Sequence, residues 1–194
     1  MRKLIFATNN QHKVDEIKSI PDIGYEIISL KEAGINVDIP EPYNTLEENA
    51  TEKSTTIYKL TGSDCFSEDT GLEVAALNGE PGVKSARYAG EGNSFEKNTE
   101  KLLYNMQGKE DRSAQFRTVL SIILNGKEYK FEGICKGIIL AYVRGERGFG
   151  YDPVFLPLGA TKTFAEMDIE EKNKYSHRKK AMDKLIEFLN KNNP

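Results

Sequence analysis

The sequence predicts an α/β fold built on a mixed β-sheet flanked by helices. Three observations carry this. Strand-like and helix-like stretches alternate along the chain, no repeat or Pro/Gly/Ser-rich linker interrupts them, and an Asn-Gly pair joins two strand-like stretches as an antiparallel hairpin does. At 194 residues the chain is read as one domain, 1–194, with room for two lobes.

Taken in order, Lys3–Ala7 reads as a buried strand. Lys13–Ile20 reads as a helix with Val14, Ile17 and Ile20 on one side and Pro21 as its stop. Glu26–Leu30 is a second strand, and Thr45-Leu46-Glu47-Glu48 has the form of a capping box opening a helix to about Leu60. Cys65–Ser67 and Leu72–Ala76 read as short strands around an acidic turn, Glu68-Asp69-Thr70-Gly71. Asn93 or Ser94 is expected to cap a helix through Leu102, Leu103 and Met106 that ends before Gly108. Phe116–Leu124 and Glu128–Cys135 flank Asn125-Gly126, the type I′ hairpin signal. A strand near Ile138–Val143 and a glycine-rich loop, RGERGFGYDPVF, precede a last helix, Arg178–Leu189. Ser176 is its expected cap, and Ala181, Met182, Leu185 and Leu189 share one face.

Composition narrows the function. Lys and Arg number 27 against 30 Asp and Glu, a net charge of -3, so no bulk positive field draws the protein to nucleic acid or to an anionic membrane. Cys65 and Cys135 are far apart and outside any C-x-x-C, which fits a reducing compartment and two small buried apolar side chains. The N-terminal apolar stretch is too short for a signal peptide, and no later run approaches the roughly 18 apolar residues of a membrane span. A cytoplasmic protein is expected, and the glycosylation pattern Asn49-Ala50-Thr51 is read as chance.

Four stretches carry chemistry. In ATNNQHK a strand ends in small polar residues and feeds a helix, which turns unpaired backbone N–H groups and the positive helix end toward one point suited to an anion. Thr8, Asn9 and Asn10 add neutral hydrogen-bonding groups and Lys13 a full charge, although an ordinary capped surface helix has the same look. In SEDTGLEV two adjacent carboxylates form what is an acidic turn in most proteins. Near a polyphosphate they need a divalent cation between them, and magnesium takes one or two carboxylates plus phosphate oxygens. Neither His12 nor His177 has a partner at metal-ligand spacing, which favours such an oxygen-ligated ion over zinc. In GFGYDP, glycines permit close backbone approach and Phe149 or Tyr151 offers a flat face for a base; a strand-ending turn packed on the core reads the same way. Finally, KNKYSHRKK reads by default as a solvated cationic face, with Ser-His-Arg holding donors at a defined helix start.

With these stretches assembled, the sequence closely resembles the inosine triphosphate pyrophosphatase family, the XTP/dITP diphosphatases. TNNQHK, PEPYNTLEENATEK, SEDTGLEVAALNGEPGVKSARYAG, FGYDPVF, EEK and SHR stand in the family's order over nearly the entire chain. The resemblance implies an elongated two-lobed fold with the nucleotide in a cleft, Mg2+ as cofactor and a homodimer. It implies hydrolysis of ITP, dITP and XTP to the monophosphate and pyrophosphate by water attack at the α-phosphorus. It places Thr8, Asn9, Asn10, Gln11, His12, Lys13 and Lys53 on the triphosphate, and Asp69 as proton acceptor and metal ligand beside Glu41. Thr70 contacts substrate, while Phe149, Gly150, Tyr151, Asp152, Lys172, His177 and Arg178 enclose and read the purine, Arg178 being the first candidate donor to its C6 oxygen. The chain departs from the family where Glu68 replaces the first of two aspartates and Lys84 a common tyrosine. A septum-inhibitor-like nucleotide pyrophosphatase, a nucleotide sensor without turnover and an RNA-binding protein are the competing readings.

Overall fold

The computed structural model describes residues 2–21, 23–90, 92 and 94–192. Strand β1, Arg2–Phe6, leads into helix α1, Gln11–Lys18, and returns as β2, Tyr25–Ser29, parallel to β1 with Leu4 opposite Ile27. Helix α2, Leu46–Thr61, precedes β3, Cys65–Val74, which is also parallel to β1. Then follow β4, Pro81–Gly82, α3, Phe95–Asn105, β5, Ser113–Leu124, β6, Lys127–Ile139, β7, Phe155–Pro157, α4, Ile169–Asn173, and α5, His177–Asn192. The strands form a mixed sheet in the order β2-β1-β3-β5-β6-β7, with β4 antiparallel to β3.

The described chain divides into two compact units. One comprises the chain up to Asp69, Thr118–Gly133 and the segment from Arg178; the other comprises Thr70–Arg117 and Ile134–His177. In the first, side chains alternate across the sheet with the period of two that a strand imposes. Leu4, Phe6, Phe66, Leu120 and Ile122 pack with Val14 and Ile17 of α1 and Met182 and Leu185 of α5. Ala7, Cys65 and Ile123 pack with Ile57 of α2 on the other side. The second unit has its own core, in which Phe116 meets Phe155 edge-on at 4.7 Å and Val154, Phe164 and Met167 close around them.

Local signals placed most elements. Thr45 caps α2, its Oγ1 accepting from Glu48 N at 3.2 Å and donating to the Glu48 carboxylate at 2.6 Å. Ser94 caps α3, and Asn93 lies outside the described residues. Asn125 and Gly126 both have positive φ, 49° and 79°, as a type I′ turn requires. Three expectations need correction. Helix α1 begins at Gln11 rather than Lys13, because the Asn10 side chain caps it by accepting from Lys13 N. The strand expected near Ile138–Val143 is the end of β6, which runs on to Ile139 because β7 pairs with it there. Most consequentially, Glu68-Asp69-Thr70-Gly71 is no turn but the middle of β3. Gly71 marks a close approach, since a Cβ there would sit 2.6 Å from the Gly82 carbonyl oxygen.

Candidate active site

Because β3 alternates, its two acids leave on opposite faces of the sheet. Phe66 packs toward α1 and α5, and Glu68, two residues on, meets Lys13 of α1 and Arg178 of α5. Ser67 bonds the Ala50 carbonyl of α2, and Asp69, two residues on, meets Lys53 of the same helix. The sequence signature "two adjacent carboxylates" is therefore two carboxylates paired on opposite faces, with the Lys13 charge on the Glu68 side still felt by Asp69.

On the α2 side, the Lys53 ammonium lies between two carboxylates, 2.6 Å from Glu41 Oε1 and 2.9 Å from Asp69 Oδ1. Asn49, one turn before Lys53, reaches Asp69 Oδ2 at 3.5 Å and exchanges two hydrogen bonds with the Tyr43 backbone, at 3.0 and 3.1 Å. It thus holds the segment that carries Glu41 onto the helix. Burial pushes the Asp69 pKa up, and Glu41 adds to this; together they outweigh the Lys53 and Lys13 charges, so the carboxylate takes a proton more readily than an ordinary aspartate. Burial pulls Lys53 down, but Asp69 and Glu41 more than offset it and its pKa stays raised.

On the other face, Arg178 forks onto Glu68 through Nε and Nη2, at 2.6 and 2.8 Å, and its Nη1 pairs with Glu16. Lys13 Nζ is 3.0 Å from Glu68 Oε1. Burial would raise Glu68, yet Arg178 and Lys13 hold it far below the usual carboxylate range. The cationic stretch before and into α5 is a solvated face only in part: Lys174 and Lys180 are exposed, whereas Lys172, Ser176, His177 and Arg178 are buried. The guanidinium that the resemblance assigns to the purine is engaged by two carboxylates.

Thr8 and Asn10 shape the turn into α1, Thr8 Oγ1 accepting from Asn10 N at 3.1 Å. Asn9 donates to Val37 O at 2.9 Å, and Gln11 and His12 lie exposed at the start of the helix, Gln11 bonded to Asp15. Within this stretch, Lys13 pairs with a β3 acid, Glu68. Thr70 is half-buried in β3.

In the second unit, Lys172 Nζ sits 2.6 Å from Asp152 Oδ2 and near the faces of Phe149 and Phe164, 5.3 and 5.0 Å from their centroids. Asp152 Oδ2 also accepts from Phe149 N at 3.0 Å, and a side chain at Gly148, whose φ is +74°, would collide with this carboxylate. Tyr151 is core: its hydroxyl donates to Ser85 O at 2.8 Å. Thr99 Oγ1 donates to the Gly150 carbonyl at 3.4 Å, and the His177 ring stacks on Phe116 at 4.8 Å. Phe149, Asp152, Lys172 and His177 thus lie in or beside one aromatic cluster.

The sequence matches the Ham1 family over residues 4–188. The chain belongs to the Ham1 family. It is 48% identical over 189 residues to a protein of Christiangramia forsetii named dITP/XTP pyrophosphatase, covering 97% of this chain and 100% of that one. A protein of the same name from Porphyromonas gingivalis is 49% identical, covering 97% and 98%. The fold matches the Ham1 protein of Staphylococcus aureus with a TM-score of 0.88 at 41% identity, covering 98% and 99%. Two residues of this Ham1 chain's site went unmarked in the sequence. Asn49 had a signal, a polar residue where the buried stripe of α2 calls for an apolar one. Glu16 had none, since a lone glutamate in a short helix looks like a surface charge.

Proposed function

We propose that the chain hydrolyses non-standard purine nucleoside triphosphates, dITP, ITP and XTP, to the monophosphate and pyrophosphate by water attack at the α-phosphorus. Membership of the Ham1 family and the name carried by its close relatives support the reaction class. The single observation that carries the mechanism is the Glu41–Lys53–Asp69 cluster, two carboxylates converging on one cation.

That donor set fits magnesium, which takes one or two carboxylates and completes its shell with phosphate oxygens and water. Glu41 and Asp69 would hold it, and when bound it neutralises phosphate charge and makes water more acidic. Asp69 accepts the proton of the attacking water. Asn49 keeps that carboxylate oriented. Lys53 and Lys13 stabilise the pyrophosphate as it gains charge in leaving.

For the purine, Phe149 supplies a flat face and Lys172 a donor to the C6 oxygen of hypoxanthine or xanthine. Adenine presents an amino group there and leaves donor against donor, which a polar site rejects strongly. With the Arg178 fork on Glu68, Lys172 replaces it as the first candidate reader. The family resemblance also supports a cytoplasmic homodimer. Among the described residues no helix is long and apolar enough to cross a membrane.

A triphosphate panel tests the function. Pyrophosphate is expected from dITP, ITP and XTP at rates about 100-fold or more above those from ATP. Equal rates on ATP, or preference for dTTP, UTP or modified pyrimidines, would contradict it.

A further inference from the structure

We propose that Glu16 is a positioning residue: acting through Arg178 and Glu68, it aims the Lys13 ammonium at the departing pyrophosphate. The proposal rests on the reading above in which Lys13 meets that end of the substrate.

Four charges of alternating sign, joined by three ion pairs, form a ring that the backbone of α1 closes. Glu16 pairs with Arg178, Arg178 forks onto Glu68, and Glu68 pairs with Lys13, which stands one turn before Glu16 on the same helix. Helix stability does not explain the placement. Arg178 is the second residue of α5, where a cation opposes the helix dipole, and Glu16 lies in the last turn of α1, where an anion does so. Residues set against the local rule in this way mark functional constraints.

The ring is electrically neutral, which makes its burial tolerable. Lys13 is the most exposed member: its side chain is 16% exposed, against 0% for Glu68, 2% for Arg178 and 10% for Glu16. An ammonium has three donors, so Lys13 keeps its bond to Glu68 while offering hydrogens to an anion. The fork fixes the guanidinium against Glu68, and the third arm, on Glu16, stops it from turning. Glu68 then presents Oε1 to Lys13 in one direction. A ring without the Glu16 charge carries net +1, so an anion is still attracted, but Lys13 is no longer drawn to a fixed point.

This separates binding from turnover. Glu16→Gln is expected to leave the KM for ITP within about threefold of the parent, or lower it, while kcat falls about tenfold, the scale of a small misplacement of a catalytic group. In a Lys13→Met background the same substitution is expected to change kcat less than about twofold, because the residue acts through Lys13. Glu16→Asp, which keeps the charge and shortens the reach, repeats the pattern should Glu16→Gln fold poorly. A purely structural role predicts the same loss in both backgrounds, and that result would overturn the proposal alone. Full turnover by Lys13→Met would overturn the proposal together with the phosphate reading beneath it.

Discussion

Asp69 and Glu68 are chain neighbours with opposite electrostatics, and two predictions follow from the difference. The Asp69 pKa is raised from 3.8, so its contribution to stability is present below that value and is lost as pH rises through the folded one. Asp69→Asn cannot ionise. Its stability relative to the parent protein should rise between pH 4 and pH 8, while kcat falls about 100-fold or more and KM changes little. Melting curves at the two pH values and steady-state kinetics check both halves, and equal, small effects on kcat and KM would count against Asp69 as the base. For Glu68 the sign reverses: its pKa is lowered from 4.5, so its stabilisation is present above that value and lost as pH falls through the folded one. Glu68→Gln leaves Arg178 and Lys13 without their shared anion and should cost about 3–5 kcal/mol at pH 7 by urea denaturation. The sequence marked Thr8 to Lys13 and Asp69 because each sits in a short linear stretch with its own pattern, and Lys53 through the family resemblance. It could not show that Arg178 spends its fork on Glu68, since nothing local records a partner 110 positions away.

Among the elements, β3 decides how the site is divided. Glu-Asp-Thr-Gly has the composition of a turn, and only its place between β1 and β5, with nearly every residue buried, makes it a strand. Strand alternation then sends Glu68 toward α1 and α5 and Asp69 toward α2, a separation that a turn would not enforce. Gly71 belongs to the same constraint. Gly71→Ala drives a methyl into the Gly82 backbone and should destabilise the protein by about 1–3 kcal/mol in urea, the scale of an overpacked core. An unchanged midpoint would show that β4 yields freely. Where the signal was local, the reading held: the Thr45 cap and the Asn125-Gly126 hairpin depend on residues within a few positions of each other. Where it depended on a distant strand, as at the end of β6 beside β7, the pattern carried no record of it.

At the scale of the whole molecule, the alternation of elements predicted the mixed α/β sheet, and the order of short motifs predicted the family, both of which hold over nearly the whole chain. Two buried cysteines fit the same picture, and burial pushes the Cys65 thiol up to about 12, which leaves it an inert core residue. If Glu41 and Asp69 serve a divalent ion, a chelator should abolish pyrophosphate release and added magnesium restore it, and full activity in chelator would remove the metal from the account. The most direct measurement follows the oxygen of water. Hydrolysis of ITP in 18O-labelled water is expected to put the label in inosine monophosphate, as attack at the α-phosphorus requires. Label found in pyrophosphate instead would mean attack at the β-phosphorus and would contradict the account.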